Sequence, residues 1–478
     1  VATGDASSNT AGFIKYISGM VWKSKGDAEK RKYDFTYDAA NRILSADFNQ
    51  YTSSSFNKTA GVDFSLSGMS YDANGNILAM KQRGLKVGGS ATIDSLAYNY
   101  IAYSNRLLNV IDGVNDTATR LGDFRTSKLH PGSASKNTST EDYRYDGNGN
   151  LIRDLNKDIV TFGGNDGIEY NHLNLPKRVT IKKDGSSNKG YIEYTYDAAG
   201  NKLKKTVYEP GVDTTYTVYV ANMVYQNDTL QFVNHEEGRI RFSPRTSAKP
   251  AASYFDYMLK DHLGNVRMLL TTQRDTSFYP VASLETASLA TERNYYGGVD
   301  TGRVNKSTVS GYPSDTYTSP NDFIQKLNGS GPKIGTNMAL KVMAGDKVNL
   351  FAKSWYKKNG VTPGTPNNPL TNILNVLEPA IGGITGTHGG ATLAQLQNTS
   401  VLDNQVTSFL NSQSGYTTSK PKAFVNWVLF DEQFKYVAAS SGFEQVGAGN
   451  TLTTHIPAAI NISKGGYLYI YVSNETPN

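Results

Sequence analysis

Tyr71-Asp72-Ala73-Asn74-Gly75-Asn76-Ile77-Leu78 has near copies on both sides of it, and that recurrence decides the fold. The copies are Tyr37-Asp38-Ala39-Ala40-Asn41-Arg42-Ile43-Leu44, Tyr145-Asp146-Gly147-Asn148-Gly149-Asn150-Leu151-Ile152 and Tyr196-Asp197-Ala198-Ala199-Gly200-Asn201-Lys202-Leu203. Degenerate versions stand at Tyr103-Ser104-Asn105-Arg106-Leu107 and Tyr170-Asn171-His172-Leu173-Asn174-Leu175. An internal repeat of roughly 25 to 40 residues signifies one supersecondary unit stacked many times, each copy burying its apolar face on its neighbours.

Each copy carries its own folding instructions. Asn-Gly and Gly-Asn pairs supply the positive φ angles of tight hairpin turns. The flanks, such as Tyr191-Ile192-Glu193-Tyr194-Thr195-Tyr196, put side chains of opposite character on opposite faces at period two. The unit is therefore expected to be strand, turn, strand in an antiparallel ribbon. The leading Tyr is amphipathic, so its ring is expected to pack on the next hairpin while its hydroxyl reaches solvent or backbone. The Asp can bond the backbone of its own turn. Tyr37, Asp38, Tyr71, Asp72, Gly75, Tyr145, Asp146, Gly149, Tyr196, Asp197 and Gly200 are thus read as structural.

These motifs, with Tyr257-Met258-Leu259-Lys260-Asp261-His262-Leu263-Gly264-Asn265-Val266-Arg267, closely resemble the Rhs (YD-repeat) family in the form found in secreted proteins of the Bacteroidota. The resemblance covers residues 12–270. It implies a β-sheet ribbon wound into a hollow shell, which in many members encloses a C-terminal toxin. Asp261, Gly264 and Asn265 are read as repeat residues, and His262, weighed against a proton-transfer role, as a structural imidazole beside the turn because no nucleophile accompanies it. Six or seven repeats are too few to close such a shell, so an open sheet or partial wall is expected.

Composition agrees with an extracellular β-rich protein. The chain has 478 residues, of which 38% are hydrophobic and only 19% charged, with 45 Gly and 31 Tyr. There is no Cys, so disulfides contribute nothing. The formal charge of +6 is dispersed along strands, which argues against nucleic-acid binding. No segment approaches the roughly 20 apolar residues that span a membrane. The start, Val1-Ala2-Thr3-Gly4-Asp5, has no signal-peptide pattern and leads abruptly into the array, which reads as a fragment or processed product of a secreted or surface protein.

After the His262 motif the texture changes. Residues 1–272 are assigned to the repeat sheet, 273–318 to a linker with a helix-compatible stretch at 282–293, and 319–478 to a second domain. There, alternating segments at 338–343, 347–356, 423–430, 434–437 and 467–472 suggest a jelly-roll-like β-sandwich. Leu393, Leu396, Leu402, Val406, Phe409 and Leu410 follow helical spacing, so one short helical insertion is expected to cover an edge or end of the sandwich. The fold class is all-β. Leu340 to Val348 resembles a carbohydrate-binding-like module that sits inside many Bacteroidota Rhs proteins. In that family further repeats, a self-cleavage segment and a toxin follow the sandwich. The strand at 467–472 is accordingly expected to lack a neighbour and to pair with other polypeptide, either downstream sequence or a secretion or shell component.

Motifs for chemistry fail. His235-Glu236-Glu237-Gly238-Arg239 lacks the second His of a zincin helix, and in Gly329-Ser330-Gly331-Pro332-Lys333-Ile334-Gly335-Thr336 a Pro interrupts the amides of a phosphate loop. There is no Gly-x-Ser-x-Gly elbow, and the six His show no ligand spacing. No catalytic, cofactor or metal residue is assigned. Trp355, Tyr356 and Trp427 are candidates for stacking on a sugar ring, against core packing as the alternative. Asp-Ser/Thr triplets mark Ser95, Thr117, Thr214 and Thr229 as candidates for the O-glycosylation of that lineage. The sequence thus reads as a non-enzymatic structural segment of a secreted Rhs-type polymorphic toxin. The alternative is a cell-surface adhesin or glycan-binding protein with the repeats as scaffold.

Overall fold

A computed structural model describes residues 17–477 apart from 25, 87–88, 115–123, 246–249, 262–263, 382–384, 387–388, 391–395 and 398–400. The architecture is all-β, with several antiparallel sheets and two helical insertions. His262, Thr117 and Leu393 lie outside the described residues.

The repeat region forms three consecutive sheets of antiparallel strands, in chain order except that the short fourth strand of the first sheet pairs with the third off the main path. The first has eight strands: β1 (Gly19–Lys23), β2 (Lys30–Tyr37), β3 (Ile43–Thr52), β4 (Ser55–Asn57), β5 (Leu66–Tyr71), β6 (Ile77–Lys86), β7 (Gly89–Tyr100) and β8 (Leu107–Asp112). The second is the hairpin of β9 (Tyr143–Tyr145) and β10 (Leu151–Asp154). The third is a ten-stranded meander: β11 (Ile168–Tyr170), β12 (Pro176–Lys182), β13 (Asn188–Tyr196), β14 (Lys202–Tyr208), β15 (Thr215–Val220), β16 (Met223–Gln226), β17 (Thr229–His235), β18 (Gly238–Ser243), β19 (Ala252–Lys260) and β20 (Val266–Thr271).

The first sheet owns a core. Ala46, Phe48, Val62, Ile93, Leu96 and Val110 are buried, and Phe48 meets Tyr33 and Phe64 edge-on at 5.4 and 5.1 Å between centroids. The ten-stranded sheet is different: no described apolar side chain of β11–β20 is buried.

The stretch expected to be a linker is packed over much of its length. The expected helix at 282–293 is a single turn, α1 (Leu289–Glu292). Leu284, Leu289 and Val299 form a small core with Tyr296 and Phe323. The short ladder of β21 (Arg303–Asn305) and β22 (Phe323–Gln325) belongs to the same cap. Buried Glu285 and Glu292 satisfy backbone amides there: Glu285 accepts from Asp322 and Phe323, and Glu292 from Ser283 and Leu284. The Asn337 side chain and the Gly297–Asn337 bridge then join the cap to the module that follows.

That module is built on a four-stranded antiparallel sheet. Its elements are β23 (Ile334–Val342), β24 (Lys347–Val348), β25 (Ala352–Ser354), α2 (Leu370–Ile381), the small hairpin β26 (Thr385–Gly386) and β27 (Gly389–Gly390), α3 (Val401–Ser412), β28 (Ala423–Asp431), β29 (Gly442–Gln445), β30 (Thr453–His455), β31 (Ile460–Asn461) and β32 (Gly466–Asn474). The sheet order is β23-β32-β28-β29. Alternation divides its two faces. Val428, Phe430, Tyr467, Tyr469 and Tyr471 pack against Ile373, Leu377 and Ile381 of α2 and Leu402, Val406 and Phe409 of α3. Leu429, Leu468, Trp427 and Ile470 face the other way, onto Val348, Ile460 and Ile462 beside the ladders β24·β31 and β25·β30.

Three expectations are corrected here. The strand at 467–472 is not an open edge: β32 is central, bonded to β23 on one side and β28 on the other, and its tyrosines are buried. Among the described residues two long helices rather than one enter the module, and they pack on one face of the sheet, over β23, β32 and β28, instead of on an edge or end. The segment 434–437 is a turn with one bridge, Phe430 to Tyr436, and the second layer consists of two short ladders rather than a full sheet.

Candidate functional site

The repeated turn has one geometry. In the Asp72 copy, the Asp72 amide donates to the Asn76 carbonyl at 3.0 Å and the Gly75 amide to the Asp72 carbonyl at 3.1 Å. The carboxylate accepts from the Asn76 amide at 2.8 Å and the Asn76 side chain at 2.7 Å. Asp146 and Asp197 repeat this with Asn150 and Asn201. Asp38 substitutes Arg42 as its partner, and Asp261 binds Asn265. The third residue after the Asp takes a left-handed conformation in every case: Asn41 at φ 64°, Gly75 at 90°, Gly149 at 86°, Gly200 at 86° and Gly264 at 84°. Hydrogen bonds from Asn76, Asn150 and Asn201 hold the carboxyls of Asp72, Asp146 and Asp197 below the ordinary Asp value, and the Arg42 amide does the same for Asp38.

The tyrosines do something the sequence does not announce. Tyr71 donates its hydroxyl to the Ile43 carbonyl at 2.6 Å, and Ile43 is the residue that closes the preceding hairpin opposite Tyr37. The same rung recurs from Tyr37 to Ile17, Tyr100 to Ile77, Tyr145 to Leu107, Tyr170 to Leu151 and Tyr196 to Pro176. From Tyr71 onward each ring therefore reaches back to the previous hairpin rather than forward to the next. The rungs of Tyr145 and Tyr170 cross the two breaks between sheets, where strand pairing stops. Tyr100 fills the role that the sequence suggested for Tyr103. The hairpin closes at Tyr100 and Leu107, one residue longer than the Tyr71 and Ile77 pair, and Tyr103 sits at the exposed turn.

A buried polar cluster reinforces the first break. Asp142 is fully buried and accepts from His130 Nε2 at 3.0 Å, Lys136 Nζ at 2.6 Å, the Asn156 side chain at 2.9 Å and the Val110 amide at 3.1 Å. The Gly132 amide donates to His130 Nδ1 at 2.9 Å, so Nε2 carries the ring hydrogen. Val110 of β8, Asn156 in the 3-10 turn after β10, and the connection between sheets are thereby tied at one carboxylate.

The remaining candidates are scattered. Trp427 is half-buried in the ladder-side core, where its indole occupies the space a Cβ on Gly442 would need, 2.5 Å away. Trp355 packs edge-on against Tyr312 at 5.4 Å, with its buried Nε1 lacking a partner. Tyr356 is half-buried beside Gly449. Ser95 lies mid-strand in β7, whereas Thr214 and Thr229 are exposed, at a loop and at the start of β17. The stretch 235–239 spans the end of β17, the two-residue turn of Glu236 and Glu237, and the start of β18, and 329–332 is a tight turn in which Asn328 and Pro332 are bonded.

One constellation was invisible in the sequence. Ser354 Oγ lies 2.8 Å from His455 Nε2, and His455 Nδ1 lies 3.2 Å from Glu444 Oε2. The three come from β25, β30 and β29, and Ser354 is 101 positions from His455, so no local motif marks them. Among the described residues no group of His, Cys, Asp or Glu could hold a metal ion, and no helix is long and apolar enough to cross a membrane.

No family model matches the chain, and no curated protein matches it. Among solved structures it is matched to the crystal structure of TcdB2-TccC3 without hypervariable C-terminal region, at 11% identity and a TM-score of 0.18. The match covers 51% of this chain and 16% of that one. A likeness that low assigns neither fold nor function.

Proposed function

We propose that the chain is a structural segment of a secreted Rhs-type polymorphic toxin, its three repeat sheets serving as a non-enzymatic length of shell wall and its C-terminal module as an appendage. The observation that supports this reading is the ten-stranded sheet, which is one layer thick and has no buried apolar side chain among its described residues. In β18–β20, Ile240, Phe242, Phe255, Tyr257, Leu259, Met268 and Leu270 share one face by register. Five of them, Phe255, Tyr257, Leu259, Met268 and Leu270, are 43% to 50% exposed. Among the described residues the outer side of β20 has no strand partner. A contiguous apolar face beside an open strand edge is the signature of a surface completed by more polypeptide, which is what a wall with contents or continuation requires.

Hydrogen exchange and hydroxyl-radical labelling of the protein expressed from its complete open reading frame test the reading. The amides of β19 and β20 should be protected like those of interior strands, and Met268 and Tyr257 should resist oxidation. Rapid exchange of β20 together with free oxidation of Met268 in that complete protein would remove the shell interpretation.

A further inference from the structure

The Ser354, His455 and Glu444 chain has a determined polarity. An ionised carboxylate only accepts hydrogen bonds, so the contact with Glu444 places the ring hydrogen of His455 on Nδ1. Nε2 then presents a lone pair, and the 2.8 Å contact must be donated by the Ser354 hydroxyl. A serine whose proton already points at an imidazole, with the imidazole oriented from its far nitrogen by a carboxylate, is the arrangement that activates an oxygen nucleophile.

Placement favours use of that arrangement. His455 is buried, Ser354 is half-buried, and the Glu444 side chain is 35% exposed. Ser354 and His455 sit on the ladder β25·β30, whereas Glu444 sits on β29, the outer strand of the main sheet. The three therefore meet where the edge strand of the main sheet faces the β25·β30 ladder, with Ser354 and Glu444 both partly open to solvent.

We infer that Ser354, His455 and Glu444 form a hydrolytic site for carboxylic esters. Ser354 Oγ attacks the ester carbonyl carbon as its proton passes to His455 Nε2. Glu444 is a positioning residue that holds the imidazolium through Nδ1. The carbon–oxygen bond to the alcohol then breaks, the departing oxygen takes the proton from Nε2, and the acyl group remains on Ser354. Water attacks the acyl-serine with His455 again accepting the proton, which releases the carboxylic acid and restores the hydroxyl. This inference is independent of the shell reading, because the site lies wholly within the C-terminal module.

The test uses the full chain with a fluorophosphonate probe and peptide mass spectrometry, alongside hydrolysis of p-nitrophenyl acetate. The probe should label Ser354, and Ser354→Ala should lose labelling there and about 100-fold or more of the hydrolysis. Glu444→Gln should lower kcat about 10-fold with KM unchanged, a split that a purely structural tie would not produce. Absence of the probe from Ser354 in folded protein, judged by an unaltered near-ultraviolet circular dichroism spectrum, would overturn the proposal. So would a Ser354→Ala variant that hydrolyses at the wild-type rate.

Discussion

At the scale of single residues, the turn was legible and the rung was not. Asp72, Gly75 and Asn76 act on one another within five positions, so their bonding follows from local chemistry. Gly75 sits at φ 90°, where a β-branched side chain is strained, and Gly75→Val should cost about 1 to 3 kcal/mol in urea denaturation. The partner of Tyr71, by contrast, lies 28 positions back, and nothing in the motif says which neighbouring hairpin the ring will choose. Tyr100 shows the same limit, because one inserted residue hid it behind Tyr103. Tyr71→Phe keeps the ring, including the Arg42 guanidinium 4.6 Å from its centre, and deletes only the hydroxyl. Its cost should therefore be that of one hydrogen bond, about 0.5 to 1.5 kcal/mol, measured by the same denaturation.

At the scale of the element, the hairpins carry a pH dependence of definite sign. Asp72, Asp146 and Asp197 have folded values below their unfolded ones, chiefly through the side chains of Asn76, Asn150 and Asn201. Their contribution is complete above the unfolded value, near pH 4, and is lost as pH falls through the depressed folded values. Melting temperature should thus hold steady from pH 7 to about 5 and drop below about 4. Replacing all three carboxylates by Asn should make that drop shallower, the depressed carboxyls of Asp38, Asp63 and Asp256 carrying the remainder. The hairpins of the module were less legible. The run at 467–472 was correctly read as a strand, but period two cannot say whether a strand is central or at an edge, and three buried tyrosines imitate an aromatic open edge. Helix α2 escaped notice because Pro379 lies inside it and Asn and Pro crowd its start, although Ile373, Leu377 and Ile381 keep helical spacing.

At the scale of the whole molecule, what holds three sheets in series is the set of contacts at their breaks. Asp142→Ala would leave Lys136 buried without its carboxylate and should cost about 3 to 5 kcal/mol, visible as a loss of cooperativity in thermal unfolding. The far end of the array presents the opposite situation, exposed apolar surface with nothing yet to hold. Tyr257 faces Leu270 and Leu259 faces Met268 across β19 and β20, and all four are exposed. Burying such side chains is worth roughly 1.5 to 3 kcal/mol each, so the isolated chain should associate through β20 as concentration rises. Light scattering coupled to size exclusion should show a growing mass for the wild type and a constant monomer mass for a Met268→Lys, Leu270→Lys variant with unchanged secondary structure. Tyr471→Lys is the contrasting control: its side chain is buried between β32 and the helices, so it should unfold the module without relieving association. A wild-type chain that stays monomeric at every concentration would show that the β20 face does not drive assembly by itself.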